Sequence, residues 1–128
     1  MRACRLKDVK QFWQEKPGKE LAVIFSPLLS NSKNIGVGLV KLRPGADSGE
    51  HSHREGVEEF WVVTKGKGIL YVGGEPTPME AGMVLYGEPG KPHKLVNTGN
   101  EEFVAVYCIT PAGEEKKILD NMVRSANA

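Results

Sequence analysis

What most constrains this chain is a rhythm of short apolar runs: "LAVIF" (21–25), "IGVGLVKL" (35–42), "EEFWVV" (58–63), "GILYV" (68–72), "MVLY" (83–86), "HKLV" (93–96) and "EFVAVYCI" (102–109). Each is too short to be a buried helix, and most are rich in β-branched and aromatic residues. Between them lie turn signals such as "KGKG" (65–68), "VGGE" (72–75) and "TGNE" (98–101), which supply positive-φ positions. The 15 glycines and 8 prolines exceed ordinary usage because they punctuate these runs. The pattern predicts an all-β fold, an antiparallel sandwich or barrel of many short strands. Only the ends read as helical. "LKDVKQFW" (6–13) places Leu6, Val9 and Trp13 on one side, and "EEKKILDNMV" (114–123) places Ile118, Leu119 and Met122 on another. "KPGKE" (16–20) reads as a linker into the first strand. The expected organisation is one domain over residues 1–128. Its strands occupy about 21–110, between an N-terminal helix and linker (1–20) and a C-terminal tail or helix (111–128).

The chain's 128 residues suffice to bury a core without staples. Seventeen basic against sixteen acidic residues leave a net charge of +1 and no basic stripe, which argues against a nucleic-acid partner. No stretch is long and apolar enough for a signal peptide or a bilayer span, so no membrane association is expected. Cys4 and Cys108 lack CxxC spacing and read as free thiols in a reducing cytoplasm.

All three histidines fall into two places: "HSH" (51–53), followed by Glu58 and Glu59, and His93 opening a later apolar run. In a strand, residues i and i+2 share a face, so His51 and His53 aim at one space. His93 approaches from a facing strand, and Glu58 or Glu59 begins the neighbouring one. Three imidazoles and a carboxylate suit Mn, Fe, Co, Ni, Cu or Zn, and the lack of cysteine ligands argues against a closed structural zinc. Four ligands on an ion that prefers six leave two positions for water, substrate or dioxygen. Taken singly, an HxH is more often solvated loop and a strand histidine more often plain packing; the coincidence of all three with a glutamate favours a site.

The spacing resembles a small single-domain cupin, of the cupin 2 type. The first cupin motif is matched by Gly45, five residues, His51-Ser52-His53, Glu59, six residues and Gly66. The second is matched by Gly82, five residues, Glu88-Pro89-Gly90, His93 and Asn97. Two positions depart from it: the gap from His53 to Glu59 is one residue longer than usual, and Glu88 replaces a proline. The resemblance implies a jelly-roll barrel holding one divalent transition metal ion per chain (Mn, Fe, Ni or Zn) on His51, His53, Glu59 and His93, commonly as a homodimer. Counting from His53 favours Glu58 as the carboxylate; counting back from Gly66 favours Glu59. The loop "REGV" (54–57) can absorb an extra residue where a strand cannot, so Glu59 is the expected ligand.

Trp61 shares parity with Glu59 and should face the pocket, as barrel core or as substrate contact. Tyr86, with Tyr71, is a candidate hydroxyl for that pocket. Asn97 is expected to bond a turn, Cys108 to pack in the core, and Glu58 and Glu88 to be solvated or to orient an imidazole. The function implied is a metal-dependent enzyme acting on a small, oxygen-rich molecule, as dioxygenase, isomerase or decarboxylase. The alternative is a cupin that binds a small acid or sugar without turnover. Oxalate-decarboxylating cupins carry an arginine a few residues before the first histidine; here the counterpart is Ser48.

Overall fold

The computed structural model describes residues 2–126. Among the described residues, nine strands form two antiparallel sheets. The larger has six strands in the order β1-β2-β3-β9-β4-β7: β1 (Trp13–Lys16), β2 (Lys19–Phe25), β3 (Gly36–Leu42), β9 (Phe103–Thr110), β4 (Glu58–Lys65) and β7 (Val84–Gly87). The smaller has three, in the order β6 (Glu75–Glu80), β5 (Lys67–Val72) and β8 (His93–Asn97). One helix, α1 (Lys116–Ala126), follows β9. This is a jelly roll, and among the described residues no continuous ladder closes it. Across the seam, residues 45–51 run beside β8 through two isolated bridges, Asp47 with Val96 and His51 with His93. Among the described residues, no helix is long and apolar enough to cross a membrane.

The space between the sheets holds Trp61, Val63, Leu70, Met79, Leu85, Leu95, Phe103, Ala105 and Tyr107, contributed by both sheets. On the far side of β2, β3 and β9 a second cluster, centred on Ala22, Ile24, Leu39 and Val104, is covered by Leu6, Val9, Phe12, Ile118, Leu119 and Met122. The apolar face expected of the C-terminal helix is thus the face it buries.

The N-terminal expectations fail. Residues 6–13 are not a helix. A 3₁₀ turn spans Leu6–Asp8 only, flanked by Arg5 and Val9 in extended conformation, and Arg5 supplies no side-chain cap. So short a segment gains more by lying over the sheet than by closing turns of its own. The expected linker is a hairpin turn. Trp13 pairs with Leu21 and Lys16 with Lys19, and Pro17-Gly18 makes the corner with Gly18 at φ +81°, the Pro-Gly signature of a type II turn. The strands therefore begin at Trp13 and not at residue 21.

Candidate metal centre

Two anchored segments bring the four residues together. In β4, Glu59, Trp61 and Val63 are buried while Phe60 is exposed. The inward face is therefore the odd-numbered one, with Glu59 opposite Gly87 and Ile109. In β8, His93, Leu95 and Asn97 point inward. The HxH segment is not a regular strand, as parity reasoning assumed. The chain is tied to β8 as far as His51: Ser48 N–H donates to Leu95 O at 2.8 Å, His51 N–H to His93 O at 3.0 Å, and His93 N–H returns to His51 O at 2.8 Å. Ser48 Oγ accepts from Leu95 N–H at 2.8 Å. "REGV" forms a turn, Val57 N–H to Arg54 O at 3.2 Å, so the extra residue sits in the loop. Glu58, one residue away, points outward.

His51, His53, Glu59 and His93 present four ligand atoms all within 4.8 Å of one another. Glu59 Oε1 lies 2.7 Å from His53 Nε2 and 3.1 Å from His93 Nε2, and His93 Nε2 lies 3.0 Å from His51 Nε2. With metal–ligand bonds of about 2.1 Å, neighbouring donors of an octahedron stand about 3.0 Å apart and opposite ones about 4.2 Å. The cluster has these edges and is a few tenths of an ångström wide across its longest span. The donor chemistry also fits. His51 Nδ1 faces the Gly49 carbonyl at 3.1 Å. A carbonyl only accepts, so Nδ1 carries the proton and the Nε2 lone pair turns toward the cluster. Three imidazole nitrogens and one carboxylate can therefore hold a transition metal ion.

The electrostatics suit a cation. Burial opposes ionisation of Glu59, but hydrogen bonds from His53 and His93 outweigh it and hold the carboxyl below its usual range. His51 keeps an exposed edge, yet crowding around its ring, with His93 close by, pushes its pKa down and keeps it a neutral donor. For His53, burial pulls downward, while the Glu59 hydrogen bond and the Glu59 and Glu114 charges win and raise it.

The cupin domain model matches residues 38–110, which contain all four residues. The chain belongs to the cupin family. This cupin is 35% identical over 92 residues to the oxalate-binding protein of Thermotoga maritima, covering 70% of this chain and 75% of that one. It is 31% identical over 108 residues to the polyketide synthase CurC of Streptomyces cyaneus, covering 84% of this chain and 70% of the other. Among solved structures, that of a predicted oxalate decarboxylase of Thermotoga maritima superposes with a TM-score of 0.72 at 26% identity, covering 86% of this chain and 99% of that one.

A cavity of about 390 Å³ opens from the cupin's centre between the sheets. Trp61 lines it, 2% exposed, with its ring 5.0 Å from that of His93. Gly87 makes room for that ring: a Cβ there would stand 2.9 Å from it. Tyr86 does not reach the cavity. It sits on the outer face of β7, 48% exposed, and its hydroxyl donates to the Glu58 carboxylate. Tyr86 pairs with Phe60 in register, so the parity that turns Glu59 inward turns Tyr86 outward. Tyr71 lies in β5 beside Leu70, which points into the core, and Lys94 lies 5.2 Å from its ring. Asn97 bonds the turn, donating to Leu42 O and Glu101 O and accepting from Gly99 N–H, each at 2.9 Å. Glu88 is solvated beside Lys91 at 3.1 Å. Cys108 is buried and Cys4 half-buried, and both are free.

Two residues near the centre escaped sequence reasoning. Glu114, just before α1, accepts from Arg54 N–H at 3.0 Å and places a carboxylate oxygen 4.0 Å from His53 Nδ1. Nothing in sequence links positions 60 residues apart. Lys19 is buried at an inward position of β2. Its Nζ donates to Ser48 O at 2.7 Å and to Glu15 Oε2 at 2.6 Å. Ser48 itself brings no cation, but its carbonyl receives one from another strand. The alternation of Lys19 with Leu21 carried this signal.

Proposed function

We propose that this single-domain cupin is a metal-dependent enzyme acting on a small, oxygen-rich organic acid. Its ligands are Nε2 of His51, His53 and His93 and the carboxylate of Glu59, for one divalent ion of the Mn, Fe, Ni or Zn kind per chain. The observation that carries this reading is the convergence of three imidazole nitrogens and one carboxylate beside a cavity of about 390 Å³ that His51, His53 and Glu59 line. Bound there, an ion supplies a Lewis acid for a carbonyl or carboxylate oxygen, or a position for water or dioxygen. The chain does the rest. Gly49 fixes the tautomer of His51, Glu59 offsets the cation's charge, and Trp61 walls the pocket. Residues 45–51 hold HxH against β8, so the donors keep their places when a ligand exchanges.

A second reading, capture without turnover, is supported by the relative that is named for binding oxalate. Turnover screened under air and under nitrogen separates an oxygenase from a lyase or isomerase, and absence of turnover with retained acid binding favours capture. A homodimer and a cytoplasmic location complete the proposal. In support of the dimer, Phe60, Val84 and Tyr86 are exposed on the outer face of β4 and β7, beyond the cover given by the termini. Elemental analysis tests the centre. The purified protein should hold one equivalent of transition metal, and His51→Ala and His93→Ala should lose most of it while staying folded. Stoichiometric metal in both variants overturns the assignment.

A further inference from the structure

Lysine is almost never fully buried without a reason, because its ammonium must be taken out of water. Lys19 is 5% exposed, and it lines the same cavity as His51, His53, Glu59 and Trp61. An ammonium has three N–H donors. One goes to the Ser48 carbonyl and one to Glu15, and the third is uncommitted. The partners are unequal. Ser48 is pinned to β8 by hydrogen bonds to Leu95, whereas the Glu15 side chain is 36% exposed and can relax into solvent. Lys19 is thus a cation fixed in place by backbone and paired with a carboxylate that can yield.

Charge completes the case. A divalent ion with Glu59 and three neutral imidazoles carries a net +1, which one substrate carboxylate neutralises. A second carboxylate in the same cavity has no counter-charge at the centre and needs one elsewhere. We propose that Lys19 is a specificity-determining residue that takes the second carboxylate of a small diacid whose first carboxylate lies at the four-residue centre. This rests on the metal-centre reading above and names its substrate class. Lys19 accounts for a preference for diacids over monoacids, where a lysine that merely braced the hairpin would leave selectivity untouched.

The test is calorimetric binding of oxalate, malonate, succinate and acetate to the manganese-loaded protein, with metal content measured after each titration. The native protein should bind at least one diacid more tightly than acetate. Lys19→Met should weaken that diacid roughly ten- to a hundredfold, as expected for loss of a charge-assisted hydrogen bond, with acetate affinity and metal content unchanged. Glu15→Gln, a change at a half-exposed side chain, should tighten the diacid severalfold and guards against a Lys19 variant that does not fold. Equal affinities for diacids and acetate in the native protein overturn the inference, as does a diacid preference that survives Lys19→Met. If the native protein holds none of manganese, iron, nickel or zinc, the metal-centre reading falls and this one with it. If metal is held and selectivity ignores Lys19, only the Lys19 inference falls.

Discussion

The two ends of the space between the sheets are built by the same strands and do opposite things. Along β4 the inward positions are Glu59, Trp61 and Val63, along β8 His93, Leu95 and Asn97, and along β2 Lys19 and Leu21. At one end Val63, Leu70, Phe103 and Ala105 pack dry. Two residues beyond Trp61 on β4 and beyond Leu95 on β8, about 6.6 Å, the inward positions become Glu59 and His93. Polarity changes sharply while the backbone pattern continues unchanged. The apolar end supplies burial worth about 1.5–3 kcal/mol for each large side chain. The polar end gains less, because each buried charge must recover its lost hydration through partners. The fold is thus held from one end, and the residues that could hold a metal stand at the other.

Substitutions on either side of this boundary should separate stability from metal. The largest effect belongs to the dry end. Phe103→Ala, at a fully buried position, should cost about 3–5 kcal/mol in denaturant unfolding while the surviving folded fraction keeps its metal. A loss below about 1 kcal/mol would mean that the dry end does not carry the fold. At the polar end, Glu59→Gln should reduce bound metal to a small fraction of one equivalent, and Glu58→Gln should leave it nearly unchanged. The reverse ranking, read by elemental analysis, would contradict the register of β4. Glu114→Gln should weaken metal binding by only a few-fold, since its carboxylate stands 4.0 Å from His53 Nδ1 and acts by orienting the ring.

The smallest effect concerns the loop that carries HxH. Asp47 Oδ1 accepts from Lys16 Nζ at 2.8 Å and from Gly49 N–H at 2.7 Å. The Lys16 hydrogen bond, then that of Gly49, lowers its pKa. A depressed carboxyl pKa contributes stability above the unfolded-state value, and the contribution is lost as pH falls through the folded-state value. The pair is largely solvent-exposed, so Asp47→Asn should cost about 0.5 kcal/mol or less near neutrality. The difference from native should vanish at strongly acidic pH. A gap that widened on acidification would contradict the sign.

The sequence made the polar end more legible than its surroundings. The three histidines could be found because their spacing matches the two motifs, and Glu59 because the count back from Gly66 selects it while the loop at 54–57 can absorb a residue; parity along β4 alone left Glu58 open. His51 and His53 converge even though their segment is not a strand: backbone bonds to β8 fix His51, and the His53 ring meets the Glu59 carboxylate at 2.7 Å. Tyr86 was misplaced because a short strand gives no internal clue to its register. The N-terminal hairpin was read as linker although Pro17-Gly18 announces a turn, because "QEK" (14–16) lacks apolar alternation and β1 is recognisable only beside β2. Glu114 was invisible for a related reason, and Lys19 showed only its inward parity with Leu21: what each does depends on a partner loop that only tertiary structure brings near.

The most direct measurement is anomalous X-ray diffraction at the edge of the metal that the purified protein carries. A single peak should lie within about 2.0–2.2 Å of His51 Nε2, His53 Nε2, His93 Nε2 and a Glu59 carboxylate oxygen, with coordination positions facing the cavity. A peak on the outward Glu58, or a fully metal-loaded protein with no peak among these four side chains, would contradict the account.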